Sequence, residues 1–302
     1  MSDDGPIYIG GLSYSGKTQL RLLLLERPGV LITRRSYMWP RYAWRFGDLG
    51  RDENLARCLD AMLASPGIRT LEPDRAGIER EFRAGSPTYA RLFALFHAQH
   101  ARRLGAQRWG DQLGGIEQYA APILAADPTA RIIHMVRDPR ARLAELLHAG
   151  RRPGVAGWET QQWRQSMRLA VDNHEKYPRR YQVVRYEDLR GDTERIMREV
   201  WAFLGEDDAL TPRSDATLWG SEAQPAMDAR LIAYVERHAA AEMTGLGYVP
   251  VRPILSQRER FLLNFIDAPI NRIGLAARGF RRANDRARVE RTARSRGVAV
   301  HG

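Results

Sequence analysis

The chain has 302 residues with 44% hydrophobic content, enough for one large α/β domain with an appendage or for two modest domains, and too apolar for a wholly disordered chain. A single cysteine, Cys58, excludes an intrachain disulfide framework and a cysteine-rich metal centre, and it fits a reducing compartment. The formal net charge of +11 is concentrated late, since the stretch from Arg252 to Gly302 holds twelve arginines against four carboxylates. No aromatic residue follows Phe280 among those arginines, so nucleic acid is not an expected partner.

Met1–Gly5 lacks a basic region followed by an apolar one, and no apolar run approaches the ~18–20 residues of a membrane span, so a cytoplasmic protein without a signal peptide is expected. The first predicted element is the strand Ile7–Ile9. It feeds the run Gly11-Leu12-Ser13-Tyr14-Ser15-Gly16-Lys17-Thr18, which opens a helix through Gln19–Leu25. A strand, a glycine-containing turn and a helix start point backbone N–H groups and the positive end of a helix dipole at one spot, which suits phosphate or sulfate. The run also satisfies G-x-x-x-x-G-K-[ST]. Lys17 stands out, because only it and Lys176 are lysines among 47 basic residues, and a compact ammonium follows a moving charge better than a planar guanidinium.

Val30–Thr33 reads as the second strand. The run Arg34–Phe46 after it interleaves arginines with aromatic residues, a combination suited to a sugar, an aromatic or an anionic acceptor and equally to packing of a helix on the sheet. Helices are expected at Glu53–Leu63 and Pro87–Leu104; the latter carries His97 and His100, for which no third metal ligand is spaced nearby, so no metal site is expected. A short strand Gln107–Trp109 precedes Gly110-Asp111, and a helix follows at Ile116–Ala126. The strand Arg131–Val136, with His134 as a core histidine, ends in Arg137-Asp138-Pro139-Arg140. Helices Arg140–Ala149 and Trp158–Glu175, strand Tyr181–Tyr186 and helix Thr193–Leu204 come next. A polar loop over Asp207–Pro225 leads to a helix at Ala226–Met243. Strands alternating with helical segments define an α/β chain with a parallel sheet covered on both faces. Residues 1–251 read as that domain and 252–302 as a basic amphipathic tail with a disordered end, in which Leu255–Ile273 forms one or two helices. The tail is a candidate for contact with a membrane, for a homodimer contact, or for capping its own domain.

Ligands of open parallel sheets sit beyond the carboxyl ends of the strands, where Arg137 is placed to clamp a second phosphate. Five stretches together resemble the sulfotransferases that depend on 3′-phosphoadenosine 5′-phosphosulfate. They are the Gly11–Thr18 loop, Arg108-Trp109-Gly110-Asp111-Gln112, Arg131–Arg140, Val183-Val184-Arg185-Tyr186-Glu187-Asp188-Leu189 and Ala202-Phe203-Leu204-Gly205, and the match spans roughly Pro6–Tyr248. The resemblance implies the three-layer α/β sulfotransferase architecture and transfer of a sulfuryl group to a hydroxyl or amine of a small-molecule, sugar or lipid acceptor. It implies that Ser13, Tyr14, Ser15, Gly16, Lys17, Thr18 and Gln19 hold the 5′-phosphosulfate and that Arg137 takes the 3′-phosphate. Lys17 becomes the catalytic cation, displaced along the loop relative to the family's usual position, and Asp111 the base that removes the acceptor's proton. Glu187 and Asp188 are expected to brace their strand end. Two departures bear on the donor: Glu145 stands where the family carries a serine that joins the 3′-phosphate site, and Gln112 replaces a lysine. A P-loop kinase using ATP, with Asp138 holding magnesium, and a nucleotide-binding scaffold without turnover remain as alternatives.

Overall fold

The computed structural model describes residues 5–34, 36–150, 155–206, 218–219 and 227–276. Strands β1 (Ile7–Gly10), β2 (Val30–Arg34), β3 (Arg108–Gln112), β4 (Arg131–Val136) and β5 (Tyr181–Arg185) form one parallel sheet in the order β2-β3-β1-β4-β5. Parallel neighbours need crossovers. The helices α1 (Lys17–Leu25), α2 (Met38–Tyr42), α3 (Asp52–Leu63), α4 (Pro66–Arg69), α5 (Arg75–Arg83), α6 (Tyr89–Arg103), α7 (Ala120–Ala126), α8 (Pro139–His148) and α9 (Val155–Lys176) lie between the strands, and α10 (Tyr186–Gly191), α11 (Thr193–Phe203), α12 (Ala229–Gly245) and α13 (Gln257–Leu262) follow β5.

The central strand β1 is apolar on both faces because both are covered. Ile7 and Ile9 join Leu20, Leu23 and Leu24 of α1 and Met197, Val200 and Trp201 of α11 in one core layer. Tyr8 turns the other way into a layer with Ile132, Tyr181 and Phe93 and Phe96 of α6. A third cluster joins Leu143 of α8, Trp163 and Met167 of α9, Val235 and Ala239 of α12, and Leu263.

Several boundaries differ from expectation for local reasons. β3 runs on through Gly110-Asp111, residues that read as a turn. A Cβ at Gly110 would lie 2.3 Å from the Ile7 carbonyl oxygen, so the glycine serves close strand approach. Tyr186 opens α10 instead of ending β5. The expected helix Ile116–Ala126 divides into a 3-10 turn, Ile116–Tyr119, and α7. The expected loop Asp207–Pro225, apart from Leu218 and Trp219, and the chain beyond 276 lie outside the described residues.

Candidate active site

β1 delivers the chain into the loop with Gly11 at φ +115° and Gly16 at φ +92°, conformations that L side chains rarely adopt. Space forbids a side chain at both positions as well. A Cβ on Gly11 would meet the Met135 carbonyl oxygen at 2.2 Å, and one on Gly16 would meet Tyr186 Cδ2 at 2.4 Å. Tyr14 also takes positive φ, 64°, between them. The turn closes with Ser15 N donating to the Leu12 carbonyl at 3.3 Å, and α1 begins at Lys17. Ser15 Oγ is buried without a partner among the described residues.

Lys17 folds back over the loop and donates from Nζ to the carbonyls of Gly11, at 2.7 Å, and Leu12. Burial pushes its pKa down to about 7, with the Glu117 carboxylate opposing that shift and Arg142 adding to it. The buried Arg142 of α8 pins the loop from behind. Its Nε donates to the Ser13 carbonyl at 2.9 Å and its Nη2 to Glu159 Oε2 of α9 at 2.6 Å.

Beyond β4, Arg137 stacks its guanidinium on the Tyr186 ring with 4.5 Å to the centroid. Its Nη1 donates to the Tyr14 carbonyl at 3.3 Å and its Nη2 to Glu145 Oε1 at 3.1 Å, while Nε is buried with no partner among the described residues. Asp138 caps α8 by accepting from Arg140 N at 2.8 Å, and its carboxylate is also held by the Arg140 guanidinium at 2.5 Å. Glu187 accepts from Asp138 N and from the Tyr248 hydroxyl, each at 2.9 Å, which is the bracing role expected of it.

These groups meet in a cavity of about 740 Å³ at the carboxyl edge of the sheet. Ser13, Tyr14, Gly16, Lys17, Thr18, Gln19, Arg137 and Glu145 line it together with Gln112, Gly114, Tyr186 and Trp219, and Arg34 and Tyr37 line it from the end of β2. Gln112 Nε2 lies 3.5 Å from Thr18 Oγ1. Ser15 does not line the cavity. Tyr37 and Trp44 both take positive φ, 49° and 60°, which is uncommon for bulky residues. Arg41 lies over the Tyr37 ring at 4.9 Å, while Trp39 and Trp44 pack on each other and on Tyr119, with Trp44 stacked on that ring at 5.9 Å.

Asp111 lies elsewhere. Residues 109 and 111 point to the opposite face of β3 from Gln112, and Asp111 is 1% exposed there, outside the cavity lining. Thr33 Oγ1 donates to its Oδ1 at 3.0 Å and Ser36 Oγ to its Oδ2 at 2.5 Å, while His97 Nε2 stands 3.7 Å away. Burial raises the Asp111 pKa and lowers that of His97, which is also stacked on Trp109. The expected proton acceptor is thus a buried tie between β3 and the Thr33–Ser36 segment. Among the described residues, Glu145 is the carboxylate that lines the cavity.

Of two buried residues behind the loop, His134 is marked in the sequence by its place in an apolar strand, whereas nothing there separates Glu117 from its neighbours. Glu117 follows Ile116 in the 3-10 turn, accepts from Ser166 Oγ at 2.7 Å, and has Oε2 without a hydrogen-bond partner 3.9 Å from His134 Nδ1. His134, expected as a satisfied core histidine, is bonded at Nδ1 by the Tyr181 hydroxyl at 2.9 Å, while its Nε2 has no partner among the described residues. Burial lowers its pKa.

A glycine loop between a central parallel strand and a helix, with an arginine at a neighbouring strand end, is a geometry suited to holding an anion at the carboxyl edge of an α/β sheet. The model of the sulfotransferase family matches residues 6–209, and the chain belongs to that family. Similar solved structures include the sulfotransferase domain of the olefin synthase of Synechococcus PCC 7002, with 22% identity over 86% of this chain and 94% of that one and a TM-score of 0.48. A sulfotransferase from Alicyclobacillus acidocaldarius shares 17% identity over 81% and 96% of the two chains, with a TM-score of 0.47. A mouse sulfotransferase complexed with PAP shares 12% identity over 97% and 89%, with a TM-score of 0.36. No curated protein matches the chain.

Proposed function

We propose that the protein transfers a sulfuryl group from 3′-phosphoadenosine 5′-phosphosulfate to a hydroxyl or amine of a small-molecule, carbohydrate or glycolipid acceptor, releasing adenosine 3′,5′-bisphosphate. The observation that carries this reading is that Lys17 on the glycine loop and Arg137 beyond β4, cations in different settings, line one and the same cavity. A donor with a phosphosulfate and a second phosphate calls for both. The residues fit it: the loop geometry admits no Cβ at Gly11 or Gly16, and Arg137 retains a buried Nε without a partner among the described residues.

When bound, the donor supplies the sulfuryl group and a phosphate that leaves. The loop and the N-terminus of α1 bind the 5′ end through backbone dipoles already oriented by the fold. Lys17 would supply positive charge to the leaving oxygen, the arriving negative charge favouring the ammonium form against the burial that lowers its pKa. Arg137, its plane fixed by Tyr186 and Tyr14, orients the 3′ phosphate. Arg34 and Tyr37 face the same cavity from β2 and form the approach for the acceptor. The Asp138 carboxylate is taken up by Arg140 and by the cap of α8, which disfavours it as the magnesium ligand of a kinase.

The test is a thermal-shift comparison of adenosine 3′,5′-bisphosphate, ADP and magnesium-ATP. Adenosine 3′,5′-bisphosphate stabilises the protein without metal, by about 2.7 kcal/mol over the ligand-free state at a hundredfold excess over its Kd, and does so more than ADP at the same concentration. Protection by magnesium-ATP alone overturns the reading in favour of a kinase.

A further inference from the structure

The C-terminal helix is docked with its polarity reversed. Ser256 and Glu259 form a capping box that starts α13, and the helix continues through a π turn at Leu263–Asp267 to residue 276. Its contacts with the domain are mostly polar. Asn264 Oδ1 accepts from Arg237 at 2.9 Å, Asp267 pairs with Arg230 at 3.0 Å, and the buried Asn271 accepts from Gly157 N at 3.0 Å. Leu263 is its buried apolar anchor. The large side chains point outward, with Phe261 57% exposed, Phe265 64% and Ile273 69%, and Ile266 and Ile270 exposed beside them. The two phenyl rings meet 4.8 Å apart in solvent. Among the described residues, more than half of the exposed large hydrophobic side chains fall between Val249 and Ile273. A helix that capped its own core would turn this face inward.

We infer that this face seats the protein on an anionic lipid surface. Charge decides among the possible occupants. Arg252, Arg258, Arg260 and Arg272 are exposed around the apolar face, and the sequence from Arg252 onward carries twelve arginines against four carboxylates. Two copies meeting through this segment would bring like charges together, whereas anionic headgroups complement the arginines while the phenyl and isoleucyl groups enter the acyl boundary. The sequence after residue 276 holds one aromatic residue, Phe280, among eight arginines and two carboxylates, and offers too little apolar surface to cover the face. Among the described residues no helix is long and apolar enough to cross a membrane, so the contact is peripheral.

The test pellets the full-length protein with vesicles of phosphatidylcholine alone and with vesicles in which one third is phosphatidylserine. The protein sediments with the anionic vesicles and not with the neutral ones, and binding falls as salt shortens the Debye length from ~10 Å at 0.1 M. Phe261→Ser with Phe265→Ser abolishes sedimentation while the thermal midpoint holds, because both rings are exposed. Arg258→Gln and Arg272→Gln each weaken partitioning by about fivefold. Absence of sedimentation with either vesicle, equal sedimentation of the double phenylalanine variant, or a salt-insensitive dimer in light scattering that the double variant dissociates overturns the inference; the last outcome makes a second copy the occupant.

Discussion

The Arg137 guanidinium and the Glu145 carboxylate lie 3.1 Å apart at the edge of the cavity, so the cation we propose for a second phosphate already has a counter-ion on the following helix. That pair competes with any phosphate for the same Nη2. Glu145→Gln therefore tightens adenosine 3′,5′-bisphosphate binding by about tenfold, or about 1.4 kcal/mol, and Arg137→Ala weakens it by about 1.5–3 kcal/mol. Calorimetric titration of the three proteins checks both. An unchanged Kd in Glu145→Gln would show that the carboxylate does not oppose the ligand.

Donor-product binding depends on pH through Lys17. Its pKa of about 7 lies below the ordinary lysine value because burial disfavours the ammonium. An arriving dianion favours the ammonium, so binding takes up a proton and affinity falls as pH rises above about 7, by up to about tenfold per unit. The stability sign is opposite: between about 7 and the model-peptide value of 10.5 the unfolded chain holds a proton that the folded chain lacks, so this group's contribution to stability rises with pH across that window. Isothermal titration in buffers of different ionisation enthalpy reads the proton uptake, and Lys17→Met removes it. Lys17→Ala is also expected to lower turnover more than donor affinity.

Gly16→Ala is predicted to disable the loop. Positive φ costs roughly 1–2 kcal/mol for an L residue, and the new Cβ must displace the Tyr186 ring, which lies 2.4 Å from its position and supports Arg137. Thermal protection by adenosine 3′,5′-bisphosphate disappears in this variant while circular dichroism keeps its α/β form. Retained protection would mean that the loop accommodates the methyl group.

Asp111→Asn separates bracing from proton transfer. The carboxylate accepts from Thr33 and Ser36, and an amide keeps its size while weakening those charge-assisted bonds, so stability falls by about 1.5–3 kcal/mol. Donor-product affinity stays within about twofold of the parent, since the residue lies outside the cavity lining. Unfolding curves and calorimetry measure the two effects. An unchanged thermal midpoint with transfer lost would return Asp111 to the role of base.

The loop, the Arg137 strand end and the Glu187 brace were legible in the sequence because each depends on local order: glycines at turn positions, an apolar run, and a charged residue where that run stops. β3 was read short, since Gly110 and Asp111 have turn chemistry and their strand conformation is imposed by the Ile7 and Ile32 neighbours. The side that Asp111 faces was legible only through strand alternation, once the strand's true length was known. Glu117, Arg142 and Glu159 surround the loop from three separate elements, and such convergence has no spacing in the chain to reveal it. The outward polarity of Phe261 and Phe265 has the same origin, because an apolar stripe says which residues share a face and not which way that face turns.

Gly157 and Glu159 stand two residues apart at the start of α9, and each grips a different part of the molecule. Glu159 holds Arg142, which holds the Ser13 carbonyl, while Gly157 receives Asn271 so closely that a Cβ there would lie 2.7 Å from the Asn271 carbonyl oxygen. The start of α9 therefore works as a strut with a glycine-loop fitting and a terminal-helix fitting on the same short rod. One methyl group at position 157 is a wedge: it meets the Asn271 backbone of the terminal helix and touches no outward side chain, two residues from the Glu159 that holds Arg142. The two fittings share one turn of helix, so a change made at this turn acts beside both.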